Sequence, residues 1–188
     1  MKMFRTFQFW NNSNIVEYFK EKPADYRIKE RLEKIESKQR STMQALDLGC
    51  GAGRHTELLV NLGFKTSVID PNPKMLKAAA NRVDSKLESV KRGSMNKLPY
   101  QNDTFDVVVT TGVLHQARTV EEYEQAISEL SRVMKSSGVV CLNIFTSNAI
   151  DPTLKKLERA FSYETKEGLF MSLLDKNTFY QIMGWFNF

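Results

Sequence analysis

The stretch Ala45-Leu-Asp-Leu-Gly-Cys-Gly-Ala-Gly53 decides the fold of this 188-residue chain. Its apolar first half, up to Leu48, has the pattern of the end of a buried strand, and its three glycines then predict a tight loop. A helical pattern begins at Arg54 and ends at Gly63. A strand, a glycine loop and a helix in this order are typical of a nucleotide-type pocket, where the backbone approaches a ligand more closely than a Cβ atom allows.

The spacing of the glycines and of two acids indicates the kind of ligand. A dinucleotide fingerprint needs a third glycine or an alanine where this chain has Arg54, because a pyrophosphate lies on that helix start. Here Asp47 precedes the first glycine, and Asp70 ends a second predicted strand 21 positions after Gly49. A carboxylate at that place can accept both hydroxyls of a ribose. The pattern therefore favours an adenosine ligand with a tail that is not a phosphate.

Four successive motifs, together covering about residues 43 to 146, resemble those of class I S-adenosylmethionine-dependent methyltransferases. They are Asp47-Leu-Gly-Cys-Gly-Ala-Gly53, Ile69-Asp-Pro-Asn-Pro-Lys-Met-Leu76, Leu98-Pro-Tyr-Gln-Asn-Asp-Thr-Phe-Asp-Val-Val-Val109 with Gly112-Val-Leu-His115, and Glu129-Leu-Ser-Arg-Val-Met-Lys-Ser-Ser-Gly138. The resemblance implies an α/β fold with a Rossmann-like, doubly wound, mostly parallel sheet that has helices on both faces.

The alternation of apolar runs predicts five β/α units in a single domain. Strands are expected near 43–48, 65–70, 87–92, 105–111 and 138–146, with Gly138 leading into the last one. Asn72 and Thr119 have the positions of helix N-caps. Residues 1–42 form a predicted helical lid or cap segment, and residues 43–188 form the predicted S-adenosylmethionine-binding core.

The end of the chain departs from the family pattern. The sheet of this family normally closes with two further strands, and Gly184-Trp-Phe-Asn-Phe188 leaves room only for the start of the sixth. Either the chain is truncated and these strands are missing, or the protein has a minimal sheet. A minimal sheet would have an open edge, and such an edge predicts pairing with a partner, for example in a homodimer.

The resemblance assigns S-adenosylmethionine as the cofactor and S-adenosylhomocysteine as its product. Asp47 is expected near the ammonium group, Asp70 at the ribose hydroxyls, and His55 either at the carboxylate end or as a structural cap. Ser94 takes the place where the family often has an acid for the adenine amino group, and Met95 either packs on the adenine or fills the core. The remaining expected cofactor-binding positions are Gly49, Cys50, Gly51, Gly53, Pro71, Thr111 and Gly112.

His115 is the candidate catalytic residue, because it follows the fourth strand on the loop that borders the acceptor site in this family. A neutral imidazole there can act as a base at physiological pH. The alternative is that His115 only binds the backbone or shapes the pocket. With two histidines in the chain, no metal-ligand spacing is found and no metal is expected.

Charge and composition indicate which classes of partner the protein is expected to have. The net charge of +5 is modest, and residues 1–44 hold ten Lys or Arg against six Asp or Glu. This favours a small-molecule acceptor over RNA, although a tRNA base of the wobble-uridine type remains an alternative, as does a non-catalytic binding subunit. No apolar run reaches the 18 or more residues of a membrane span, so no membrane partner is expected. Two cysteines make no disulfide framework, which predicts a cytoplasmic setting.

Overall fold

A five-stranded sheet, in which every pair of neighbours is parallel, forms the centre of the structure. The structure is a computed structural model that describes residues 9–147 and 151–188. The strand order is β3-β2-β1-β4-β5. The strands are β1 (Gln44–Leu48), β2 (Lys65–Asp70), β3 (Ser89–Arg92), β4 (Phe105–Thr111) and β5 (Met134–Asn143).

Helices cover both faces of this sheet. They are α1 (Ser13–Lys20), α2 (Tyr26–Glu33), α3 (Ser37–Arg40), α4 (Arg54–Asn61), α5 (Pro73–Arg82), α6 (Val120–Val133) and α7 (Lys176–Trp185). Side chains alternate between the faces along each strand. In β1, Ala45 packs with α2 and α4, whereas Leu46 and Leu48 pack with α6 and α7. The predicted doubly wound α/β fold is confirmed.

Two helices begin at the N-caps expected from the sequence. The Oδ1 atom of Asn72 accepts hydrogen bonds from the backbone N–H groups of Lys74 and Met75 at the start of α5. At the start of α6, the Oγ1 atom of Thr119 accepts from the N–H group of Glu122 at 3.1 Å. Each cap satisfies donors that the helix itself leaves without a partner.

The prediction for the fifth strand is wrong at both ends, because β5 runs from Met134 to Asn143 rather than over 138–146. Phe105 pairs with Met134, but Val107 pairs with Val139, so extra residues bulge out of β5. Gly138 therefore lies within the strand and does not lead into it. The bulged residues do not alternate between apolar and polar as a regular strand does. The start of β5 is therefore predicted too late from the sequence.

The expected start of a sixth strand at 184–188 is also wrong. Gly184 and Trp185 belong to α7, and Phe186 is its C-cap. The apolar residues of α7 follow a helical spacing and pack against α6. Before α7, the chain forms a separate antiparallel sheet that no sequence pattern anticipates, made of β6 (Lys155–Lys156), β7 (Ser162–Glu164) and β8 (Phe170–Ser172).

The N-terminal helices lie against the core through specific hydrogen bonds. Arg82 in α5 donates to the carbonyl oxygens of Lys20 and Lys22, at the end of α1 and just after it. The side-chain amide of Asn72 donates to the carbonyl oxygen of Trp10 at 2.5 Å. These contacts hold the N-terminal segment against both ends of α5, and residues 1–8 of the expected cap lie outside the described residues. Within the described ranges, no helix is long and apolar enough to cross a membrane.

Candidate cofactor site

The candidate site lies at the carboxyl ends of the strands, where the strand order reverses. β2 lies on one side of β1 and β4 lies on the other, so the chains leaving β1 and β4 separate and open a crevice. The loop after β1 is tied to β2 there, because the N–H group of Gly51 donates to Asp70 Oδ2 at 3.0 Å. The structure thus brings the predicted glycine loop and the predicted acid together.

The three glycines of the loop have positive φ angles, but they serve different purposes. A Cβ atom on Gly49 would lie 2.3 Å from the Val113 side chain, and one on Gly53 would lie 2.7 Å from the Ala79 Cα atom. These two glycines allow close contacts within the protein. A Cβ atom on Gly51 would meet nothing within 4 Å. Gly51 therefore faces open space beside Asp70, and this space fits the close approach of a ligand to the backbone.

Asp70 lies at the end of β2 and holds the loop in place. Its Oδ1 atom accepts from the N–H group of Asn72 at 2.8 Å, and its Oδ2 atom accepts from Gly51. Burial raises the pKa of this carboxyl above its usual value. Each oxygen has a second lone pair, so Asp70 can accept two further hydrogen bonds from ligand hydroxyls. Pro71 is exposed beside it, and its carbonyl oxygen accepts from Arg92 at 3.1 Å.

Asp47 is buried near the end of β1, just before the loop. Its Oδ2 atom accepts a hydrogen bond of 2.6 Å from the hydroxyl of Thr56. Burial raises the pKa of Asp47 to about 7, and the nearby carboxylate of Asp70 adds to the shift. Asp47 therefore changes charge near neutral pH and responds to any cation that binds close to it.

Cys50, in the glycine loop, has a buried side chain. It packs in a cluster with Val68, Leu76 and Ala79. Burial raises the pKa of the thiol well above its usual value, so the sulfur stays protonated.

His55 connects three segments around the crevice. Its Nε2 atom accepts from the backbone N–H group of Asp25 at 3.2 Å, so the ring proton is on Nδ1. The Nδ1 atom is 3.2 Å from Thr111 Oγ1, and Arg54 Nη2 donates to the same oxygen at 3.4 Å. Burial lowers the pKa of His55 to about 4, with the charge of Arg54 as the next cause. His55 is therefore a neutral link between the N-terminal helices and the end of β4.

The loop after β4 is fixed at Gly112. Its N–H group donates to Asn143 Oδ1 at 2.7 Å, and its carbonyl oxygen accepts from Gln116 Nε2 at 2.8 Å. The positive φ of +74° suits a glycine. These contacts join the ends of β4 and β5 and hold the chain that leads to His115.

His115 is buried, and its Nδ1 atom has no hydrogen-bond partner among the described residues. A proton on Nδ1 would be a buried donor without an acceptor, so the neutral ring keeps its proton on Nε2. Burial lowers the pKa of His115 to about 4. The ring of Phe145, which is 56% exposed, lies edge-on to the imidazole at a centroid distance of 4.8 Å. As the structure has it, His115 can donate a hydrogen bond from Nε2 but is not prepared to act as a base there.

The expected adenine-side residues differ in their surroundings. The N–H group of Gly93 donates to the Asp70 carbonyl at 3.3 Å, which keeps this segment beside the end of β2. Ser94 is exposed, whereas Met95 packs against the core cluster on the α6 side. Among the described residues, no group of three or more His, Cys, Asp or Glu side chains could hold a metal ion.

Four residues at the site are not anticipated by the sequence motifs. Arg54 and Thr56 belong to the first turn of α4, and their nearness to Thr111 and Asp47 depends on how that helix packs. Asn143 and Phe145 come from the end of β5 and the residues after it, where the strand boundary is predicted wrongly.

Residues 46–142 match the family model described as a methyltransferase domain. The demethylmenaquinone methyltransferase of Alkalihalophilus pseudofirmus is 36% identical over 120 residues, which are 60% of this chain and 49% of that protein. The human probable tRNA methyltransferase 9B is 29% identical over 99 residues, 53% of this chain and 20% of that protein.

The same fold is found in a crystal structure of an S-adenosylmethionine-dependent methyltransferase from Clostridium acetobutylicum. Its TM-score is 0.64 at 18% identity, and the match covers 87% of this chain and 80% of that one. The chain spans about half the length, or less, of these curated relatives, with shares of 40%, 49% and 20% for three of them.

Proposed function

The chain belongs to the class I S-adenosylmethionine-dependent methyltransferases, and we propose that it transfers the methyl group of S-adenosylmethionine to a small-molecule acceptor. The observation that carries this proposal is the open space beside Gly51, next to the carboxylate of Asp70 at the reversal of the strand order. When bound, S-adenosylmethionine supplies a methyl group already activated by a sulfonium centre. The protein then has to bind and align the reactants and exclude water.

In this proposal, the positions of the residues support the following roles on the cofactor side. Asp70 accepts the ribose hydroxyls with its free lone pairs, and Gly51 provides the space for the sugar. Met95 and Ser94 border the adenine, beside the segment tied to Asp70. Asp47 attracts the ammonium group from near the end of β1. Alignment of donor and acceptor can supply about 7–11 kcal/mol of the rate enhancement, so these binding contacts carry much of the catalysis.

The acceptor side of the site is bordered by His115 and Phe145. Their rings touch, Phe145 is exposed, and β8 packs against the 3₁₀ turn Leu114–Gln116 that carries His115. In this arrangement, His115 orients the acceptor by donating from Nε2, and Phe145 supplies an apolar surface. A small acceptor is also supported by the likeness to demethylmenaquinone methyltransferases, whose name states a small molecule.

Methylation of a tRNA base is the second candidate. It is favoured by the likeness to the human probable tRNA methyltransferase 9B. A tRNA acceptor would bring many phosphates to the protein, so its binding would weaken steeply as the salt concentration rises.

Labelled S-adenosylmethionine tests these two candidates directly. The protein is incubated with tritiated methyl donor and separate small-molecule, RNA and protein fractions of a cell extract, and the transferred label is counted. We expect label in the small-molecule fraction, none with Asp70→Ala, and a reduced rate with Phe145→Ala. Label in the RNA fraction alone would replace the small-molecule proposal with the tRNA one.

A further inference from the structure

We infer that Arg54 and Thr111 bind the carboxylate at the amino-acid end of the cofactor. This inference rests on the proposed function and adds to it a residue pair that selects ligands by one chemical group. Because Asp25 donates to His55 Nε2, His55 donates from Nδ1 to Thr111 Oγ1. Arg54 Nη2 donates to the same oxygen.

Both lone pairs of the Thr111 oxygen are therefore used, and its own hydroxyl proton has no acceptor in these hydrogen bonds. The guanidinium of Arg54 also has donors left over, since only Nη2 has an assigned partner. Within the described ranges, Arg54 forms no ion pair with a carboxylate. By contrast, Arg82 pairs with Glu57, and Arg132 pairs with Glu129. Donors that converge without an acceptor indicate a place for an anion.

The neighbouring charges favour a carboxylate over a phosphate. Asp47 lies close enough for its charge to interact with that of Arg54, and His55 is neutral, so a cation and an acid lie near each other in this part of the crevice. A doubly charged phosphate would be repelled by Asp47. The amino-acid end of S-adenosylmethionine has one ammonium and one carboxylate, which match Asp47 and Arg54 respectively. A planar guanidinium also fits a carboxylate with two parallel hydrogen bonds.

Decarboxylated S-adenosylmethionine, which lacks only the carboxylate, makes the test specific. Both ligands are titrated into wild type, Arg54→Gln, Arg54→Lys and the control Arg31→Gln, which removes one exposed arginine of α2. We expect Arg54→Gln to weaken the binding of S-adenosylmethionine at least about tenfold. The affinity for the decarboxylated ligand should stay within about twofold of that of the wild type. Arg54→Lys should recover part of the lost affinity, because lysine keeps the positive charge but cannot form two parallel hydrogen bonds. Arg31→Gln should bind both ligands as the wild type does.

The possible results separate this inference from the proposed function. Suppose that the wild type binds S-adenosylmethionine and that Arg54→Gln lowers the affinity for both ligands equally, or for neither. The carboxylate assignment is then overturned, whereas the cofactor assignment stands. If folded wild type binds neither ligand, the proposed function fails and the assignment of Arg54 fails with it. Thermal unfolding of each variant shows that the fold is intact, and equal midpoints for Arg54→Gln and Arg31→Gln remove stability as a cause.

Discussion

A methyl group added at Gly51 should cost little stability but much cofactor affinity. Gly51 has a φ of +52°, and a Cβ atom placed on it would meet no other atom within 4 Å. The left-handed conformation costs a residue with a Cβ atom about 1–2 kcal/mol, and the stiffer unfolded chain of Ala offsets part of this. Gly51→Ala should therefore lower the free energy of unfolding by about 1 kcal/mol, or the melting temperature by about 2–4 °C.

Gly63 provides a matched control. It has a φ of +91°, it also has nothing within 4 Å, and it follows the far end of α4, roughly 12 Å from the glycine loop along the helix. Gly63→Ala should cost a similar amount of stability for the same reason. It adds no atoms to the crevice, so cofactor affinity should stay within about twofold of wild type.

Urea unfolding and calorimetric titration with S-adenosylhomocysteine measure both quantities on the same samples. Gly51→Ala should lose at least about tenfold in affinity, equivalent to about 1.4 kcal/mol, because its methyl group enters the space beside Asp70. If Gly51→Ala binds the ligand as tightly as Gly63→Ala does, the open space beside Gly51 is not where the ligand lies, and the reasoning is refuted.

Three further changes give independent checks. Gly53→Ala should lower the free energy of unfolding by about 3 kcal/mol in urea, because its methyl group would lie 2.7 Å from the Ala79 Cα atom; a loss no larger than that of Gly63→Ala would contradict this packing. The pKa of His115 is lowered to about 4, so its contribution to stability is lost as the pH falls from about 6.5 to 4. His115→Gln should therefore reduce the fall in stability over that range by about 1.4 kcal/mol per pH unit, and an unchanged slope would show that the imidazole is not desolvated. The pKa of Asp47 is raised to about 7, so the folded state holds a proton that the unfolded chain releases near pH 4, and stability is lost as the pH rises from 4 to 7. Asp47→Asn should remove that loss in urea titrations at pH 5 and pH 8, and a parallel decline in both proteins would disprove the shift.

Most of the central sheet could be predicted from the sequence, because β1, β2 and β4 are largely apolar and the elements are separated by clear caps and glycines. Asn72 and Thr119 cap the expected helices, and four strands lie within two residues of their predicted bounds. The residues after β5 could not be predicted in the same way. β6 to β8 have two or three residues each, so they are too short to show a period. The bulge in β5 hides the start of that strand for a similar reason.

In the candidate site too, residues in local sequence patterns could be predicted, and contacts between distant residues could not. Gly51 and Asp70 could be found because a ligand that touches the backbone needs particular residue types at fixed spacing. The hydrogen bond between His55 and Asp25 joins residues that are 30 positions apart, and no local pattern reports such a pairing. For His115, the sequence identifies the residue, but only the burial of Nδ1 shows where its proton lies.

The most direct test of the cofactor assignment is calorimetric titration of S-adenosylmethionine and S-adenosylhomocysteine into wild type, Asp70→Ala and Asp106→Ala. Asp106 is a matched control, because it also accepts from a backbone N–H group, that of Gln44, but lies at the start of β4, away from the crevice. We expect dissociation constants in roughly the micromolar range for wild type and Asp106→Ala, and no measurable binding for folded Asp70→Ala. Folded wild-type protein that binds neither ligand, or Asp70→Ala that binds both as tightly as wild type, would contradict the assignment.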